Sequence, residues 1–253
     1  KSITITCSIG ITQIDSSSGG AQNILTEVQK ASNKAINKGG NKIHLHVPDA
    51  NDMNVRQLGM YWYNEINNAI KQKRMFLVFQ PFVSLSGENS ENFEIFMRLR
   101  NEKGDTIFPR EFLTPIESSN FSLHIDRWLV AEAIKTLAEQ YKIGNRNRFI
   151  IKLTTASLSD DKFMPWVTHN LKRYKVKAKS LIFQIVVTQA ADNLRQTQTL
   201  AKQLHKLGSQ LSIDRFSDNK EIFALLKHVK VDFLKLDNEM VKDISTQPDK
   251  LSE

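Results

Sequence analysis

Apolar residues at the start of the chain fall on every second position. Ile3, Ile5, Cys7, Ile9 and Ile11 alternate with Thr4, Thr6, Ser8, Gly10 and Thr12, which predicts a strand with one buried face. After a turn-rich stretch from Ser16 to Gly20 the period lengthens. Ile24, Leu25, Val28, Ala31 and Ala35 then recur at helical spacing, predicting a helix over Ala21–Lys38 that Gly39-Gly40 stops. Ile43, His44, Leu45 and His46 predict a short second strand. Its two histidines share a face as two ligands might, but with no third ligand nearby they read as a plain surface pair. Pro48 to Asn54 is a polar linker. Leu58, Trp62, Ile66, Ala69 and Ile70 then mark an amphipathic connecting helix over Val55–Lys73.

From Met75 onward the pattern is strand-rich, and after two strands it alternates strand with helix. Strands are expected at Phe76–Phe82, Phe93–Arg98, Phe149–Leu153, Leu181–Val187, Leu211–Ile213 and Phe233–Leu236. Helices are expected at Ile125–Gln140, Thr197–Leu207 and Lys220–Val229. This alternation places the chain in the α/β class with parallel strands and right-handed crossovers. A (β/α) barrel is the arrangement expected, with chemistry at the C-terminal strand ends.

Composition narrows the surroundings. In 253 residues no apolar run approaches the length of a membrane span, so no direct membrane insertion is expected. The start of the chain does not read as a signal peptide. A single cysteine, Cys7, excludes an internal disulfide and suits a cytoplasmic protein. The net charge of +8 admits an anionic partner. Its densest cluster is Lys172, Arg173, Lys175, Lys177 and Lys179, which reads first as a solvated connector. Only Tyr174 interleaves there, so nucleic acid is not an expected partner.

Candidate chemistry concentrates in Glu94-Ile95-Phe96-Met97-Arg98. A carboxylate and a guanidinium four positions apart at a strand end could address a metal or a phosphate. Elsewhere the sequence is quiet. Phe82, Phe93 and Phe112 read as core, and Gly104 and Gly208 as turn glycines. His124, His169, His205 and His228 read as helix-surface residues without ligand spacing, and Ser157 and Ser159 have no histidine placed to activate them.

Two family resemblances organise these observations. Cys7-Ser8-Ile9-Gly10-Ile11, followed by Ala31 to Ala35 and Gly39-Gly40-Asn41, resembles the last strand, helix and turn of a GGDEF (diguanylate cyclase) domain. That family's nucleotide-binding half is absent. Further on, Phe79-Gln80-Pro81, Glu94-Ile95-Phe96 with Arg98, Phe108-Pro109-Arg110-Glu111-Phe112-Leu113, Ile125-Asp126-Arg127-Trp128 and Asp232-Phe233-Leu234-Lys235-Leu236-Asp237 resemble, in order, an EAL domain, the cyclic-di-GMP phosphodiesterase barrel. The resemblance implies residues 1–47 as the C-terminal part of a degenerate GGDEF domain, 48–74 as linker and connecting helix, and 75–253 as a degenerate EAL domain. With six strands legible against the family's eight, the barrel is expected to be truncated at its C-terminus.

The same resemblance implies what the site has lost. Active members hold two divalent cations that generate hydroxide. Glu94 and Asp214 are retained. The family's metal asparagine aligns with Lys152, its next glutamate with Gln184, a later one with Val187, and its second aspartate with Arg215. An ammonium a few ångströms from a cation is repelled by about 4 kcal/mol per unit charge product at intermediate dielectric. No catalytic metal, and no enzyme activity, is therefore expected. A binding pocket for the cyclic-di-GMP dianion is expected to survive, with Arg98, Lys235, Lys152 and Arg215 supplying positive charge. Glu94 and Asp214 would line it, Gln80 and Asp126 would face a guanine or ribose, and Phe96 would shape the wall. The alternatives are an empty scaffold held by Lys152–Glu94 and Arg215–Asp214 pairs, acting only in protein interaction, and a weak phosphodiesterase. The combination is most similar to FimX-like receptors. That likeness implies a PilZ-domain partner, a role in type IV pilus assembly and twitching motility, and compatibility with a homodimer.

Overall fold

The computed structural model describes residues 6–14, 21–46, 55–83, 92–116, 121–217 and 220–242. The expectations for Ile3, Ile5, Ser16–Gly20, the 48–54 linker and residues beyond 242 lie outside those described. The chain divides into two compact units, one of residues 1–72 with 110–116 and one of residues 73–109 with 117–253.

In the first unit, β1 (Ile9–Ile11) pairs in parallel with β2 (Ile43–Leu45), and α1 (Ala21–Asn37) connects them. Ala31 and Ala35 are the buried face of α1. The helix ends where Gly39 (φ 100°) and Gly40 (φ 66°) turn the chain, and Gly40 N donates to the carbonyls of Ala35 and Ile36. Gly10 is required by close approach: a Cβ there would lie 2.4 Å from both Val28 O and Ser32 N of α1. The histidine pair is not a surface pair. His46 is buried and its N–H donates to Ile11 O at 2.7 Å. The same unit holds α2 (Val55–Lys71), whose Trp62, Ile66 and Ala69 are buried, and most of α3 (Pro109–Leu113). The Trp62 and Phe112 rings are 5.9 Å apart.

The second unit is built on a sheet ordered β3-β4-β6-β7-β8-β9. β3 (Met75–Phe82) and β4 (Asn92–Arg100) are antiparallel, running from the pair Met75–Leu99 to Phe82–Asn92. The short β5 (Thr106–Ile107) adds to β4. β6 (Arg148–Lys152), β7 (Leu181–Val186), β8 (Gln210–Phe216) and β9 (Phe233–Leu236) continue in parallel. Helices α4 (Phe121–Lys142), α5 (Thr155–Leu158), α6 (Phe163–Tyr174), α7 (Val187–Asp192), α8 (Leu194–Leu207), α9 (Lys220–His228) and α10 (Asn238–Val241) follow in chain order. All six long strands expected from the pattern are present. Among the described residues they form an open path with β3 and β9 at its ends.

Period-two alternation fixes what each face carries. On β4, Ile95, Met97 and Leu99 are buried, as are Phe149 and Ile151 on β6 and Leu129, Val130, Ala133, Ile134 and Leu137 on α4. Glu94, Phe96 and Arg98 are thereby turned to the opposite face. β7 lies in the middle of the path and is buried from Leu181 to Ile185, which explains its continuous apolar run.

Candidate functional site

The expected residues come from five strands. Glu94 is on β4, Lys152 ends β6, Gln184 is on β7, Asp214 is on β8 and Lys235 is on β9. Lys152, Gln184 and Ser212 are in register across β6, β7 and β8. Lys152 Nζ donates to Asp214 Oδ2 at 2.6 Å. Lys235 Nζ contacts both Glu94 oxygens, at 2.8 and 2.7 Å, and lies 3.9 Å from Asp214 Oδ1.

The Lys235–Glu94 contact reports the shape of the sheet. β4 and β9 are separated by β6, β7 and β8, a path of about 19 Å at normal strand spacing. A lysine and a glutamate side chain cannot span that distance along a flat sheet. The sheet is therefore curled, with these charges on its concave side. The two carboxylates are the less exposed partners, at 13% for Glu94 and 8% for Asp214, while the lysines reach toward solvent.

This pairing corrects the expected one. Lys152 bonds Asp214 rather than Glu94, because β6 and β8 flank β7 and bring those side chains together. Arg215 does not pair with Asp214. It is exposed, with φ of 59°, at the register shift between Ile213 and Phe216. The bulge keeps Asp214 and Phe216 buried and turns Arg215 outward. Gln184 is fully buried beneath the charges. Its Nε2 lies 3.4 Å from Ser212 Oγ, and its Oε1 has no partner among the described residues.

The other expected residues take separate places. Gln80 is exposed opposite Glu94 in the β3–β4 register. Arg98 donates to Met97 O at 2.8 Å, and its guanidinium lies 4.7 Å from the Phe108 ring centre and 5.8 Å from that of Phe96. Two aromatic rings thus orient the guanidinium. Asp126, on α4, is buried and turned to the β6–α5 turn rather than open to the concave side. Its Oδ2 accepts from Thr154 N (2.9 Å), Thr154 Oγ1 (2.8 Å) and Ser157 Oγ (2.6 Å), while Oδ1 has no partner among the described residues. Burial raises its pKa from 3.8 to about 6, against the lowering effect of those hydrogen bonds.

Several roles are not legible in the sequence. Ser157 is a donor to Asp126, and Phe108, which the sequence offers only as part of a motif, is a stacking partner. His205 was expected on a helix surface. Its Nε2 instead lies 2.8 Å from Asp232 Oδ2, which also accepts from Leu211 N. No local pattern marks such contacts, since each joins positions far apart in sequence. Among the described residues, no three His, Cys, Asp or Glu side chains converge as a metal ion would require.

Comparison with known proteins places this architecture. The chain is similar to the cyclic di-GMP phosphodiesterase PdeF of Escherichia coli K12, with 30% identity over 181 residues, 72% of this chain and 24% of PdeF. It spans about a quarter to about a third of the length of the curated relatives it matches. A crystal structure of a FimX EAL domain superposes with a TM-score of 0.70 and 33% identity, covering 76% of this chain and 77% of that one. The FimX EAL domain of Pseudomonas aeruginosa bound to c-di-GMP gives 0.69 and 32%, covering 76% of each chain. Residues 63–251 match the family model of the EAL domain, and the chain belongs to that family.

Proposed function

We propose that this EAL domain binds cyclic-di-GMP without hydrolysing it. The observation that carries the reading is the Lys152–Asp214 ion pair. It puts an ammonium on a carboxylate that family resemblance assigns to metal binding. Hard divalent cations need several oxygens with available lone pairs. Here Glu94 and Asp214 are each neutralised by a lysine, and Gln184 contributes no charge. The residues present do not fit a two-metal centre.

A dianion fits better. Lys152 and Lys235 can exchange a carboxylate oxygen for a phosphate oxygen at little cost in solvation, because both ammonium groups already reach solvent. Arg98, held by Phe108 and Phe96, offers a forked donor suited to the second phosphate. The P. aeruginosa FimX EAL domain bound to c-di-GMP supports this reading; the phosphodiesterase PdeF supports its competitor. The charges are also internally balanced, which favours a second reading, a ligand-free interaction scaffold.

On the FimX likeness, the wider proposal is a cytoplasmic receptor that signals to a PilZ-domain protein in pilus assembly. Residues 1–47 would be the remnant of a GGDEF domain. Among the described residues no helix is long and apolar enough to cross a membrane. Calorimetric titration with cyclic-di-GMP, with and without magnesium, followed by product analysis, tests the proposal. Magnesium-independent binding of intact ligand is expected. Turnover overturns it, and absence of binding favours the scaffold.

A further inference from the structure

In the second unit, the helices that feed the parallel strands run opposite to those strands. The C-terminal ends of α4, α6, α8 and α9, with the connections that follow, therefore gather at one rim of the sheet. This rim is opposite the one where Lys152 ends β6. Three of these ends are strongly basic, with Lys142 at the end of α4 and Arg146 after it, Lys175, Lys177 and Lys179 after α6, and Lys230 after α9 all exposed. Glu139 and Asp232 are the acidic residues between positions 139–148, 169–181, 202–210 and 224–233. Asp232 is already engaged by His205 and Leu211 N.

Cations at helix C-termini complement the helix dipole, which accounts for Lys142 and for Lys172 and Arg173 in the last turn of α6. That effect fades beyond the last turn. It leaves Lys177 and Lys179, which lie past the end of α6, without a structural purpose. A second feature of the rim is Ile143. It lies between Lys142 and the Gly144 turn and is 70% exposed. A protruding apolar side chain among dispersed lysines suits neither a small anion nor a nucleic-acid groove. The nearby aromatic rings are also engaged, Tyr141 under Arg146 at 4.6 Å and Tyr174 under Arg173 at 5.5 Å, so they do not offer free stacking faces to bases.

We propose that this basic rim docks on an anionic lipid bilayer, with the lysines at the headgroups and Ile143 at the acyl boundary. The association is peripheral and independent of the nucleotide site on the other rim. Each lysine near an anionic membrane strengthens binding several-fold, the attraction is diffuse, and it needs no convergent pocket.

Sedimentation of the 253-residue chain with vesicles tests the idea, comparing phosphatidylcholine alone with phosphatidylcholine containing roughly one-third phosphatidylserine. Binding is expected only to the anionic vesicles and should weaken as salt is raised. The triple variant Lys175→Gln, Lys177→Gln, Lys179→Gln should lower partitioning about 100-fold. Ile143→Ser should lower it about tenfold. Circular dichroism of both variants verifies folding, and because they alter exposed residues on different elements, loss of one fold still leaves the other informative. Equal binding to neutral vesicles, or unchanged binding by both variants, overturns the proposal. So does capture of a single-stranded oligonucleotide without vesicle binding.

Discussion

The Lys235 ammonium straddles the Glu94 carboxylate, 2.8 Å from one oxygen and 2.7 Å from the other, across 141 residues of chain. The two side chains come from strands with three others between them, so the pair ties the curled sheet across its concave side. It also holds the Glu94 charge, the first of the family's carboxylates, against an ammonium group.

Replacing Lys235 with Ala separates the structural from the binding role of this pair. The lysine is about half exposed, and such ion pairs contribute about 1 kcal/mol or less. Urea denaturation of Lys235→Ala should therefore shift stability only slightly. Cyclic-di-GMP affinity measured by calorimetry should fall at least about tenfold, the value of one charge-assisted hydrogen bond. Unchanged affinity would mean that Lys235 serves Glu94 alone.

Asp126 predicts a specific pH dependence. The folded chain holds its proton up to about pH 6, whereas the unfolded carboxyl releases it near 3.8. Between those values the folded state carries the extra proton, so stability falls as pH rises through the window. The deficit is complete above it and is on the order of 3 kcal/mol. Asp126→Asn can still accept from Thr154 and Ser157 but cannot ionise. Denaturation midpoints of the parent should decline from about pH 4 to about pH 7 relative to those of Asp126→Asn. Parallel curves would show that Asp126 titrates normally.

Much of this fold was legible in the sequence because long elements advertise their period. The six long strands, α1, α2 and α4 follow from alternation and helical spacing, and β7 from its unbroken apolar run. The short α5, α7 and α10 span too few residues to show a period, and the basic end of α6 masks its helical spacing. The site was legible in membership but not in pairing. Lys152, Asp214, Glu94 and Lys235 do meet, yet which lysine meets which carboxylate depends on sheet curvature. Likewise, the outward turn of Arg215 depends on a bulge, and the burial of Asp126 on where α5 packs.

Arg215 sits in the left-handed region at φ of 59°, where a side chain costs about 1 kcal/mol relative to glycine. Arg215→Gly should raise stability by about that amount, read as a higher urea midpoint. Because Arg215 is exposed and Lys152 is the cation held on Asp214, cyclic-di-GMP affinity should change less than about threefold in this variant, whereas Lys152→Ala should weaken it at least about tenfold. Loss of binding in the glycine variant would return Arg215 to the pocket.

Gly10 makes the opposite prediction for the first unit. A methyl group there would press to 2.4 Å from the Val28 carbonyl and the Ser32 amide, both backbone atoms that cannot rotate aside. Gly10→Ala should therefore force β1 and α1 apart at a cost of about 1–3 kcal/mol. Hydrogen exchange should show the loss of protection confined to α1 and to the β1–β2 pairing. Unaltered protection there would mean that the strand and helix tolerate wider separation.

The last prediction concerns what cannot be restored. Changing Lys152 to Asn and Arg215 to Asp would reinstate two residue types that the EAL family places at its metals. Asp214 would then lose its 2.6 Å lysine but would remain 3.9 Å from Lys235, which still covers Glu94. Gln184 would stay neutral, fully buried and directed at Ser212, where an active member has a carboxylate. The carboxylate introduced in place of Arg215 would inherit an exposed position at the register shift, open to solvent. A hard divalent ion would thus gain one amide oxygen while still lacking the anionic oxygens that offset its dehydration. The double variant, incubated with cyclic-di-GMP and magnesium or manganese, should give no linear dinucleotide by chromatography. Product formation would show that Lys152 and Arg215 together had silenced the site and that Gln184 does not.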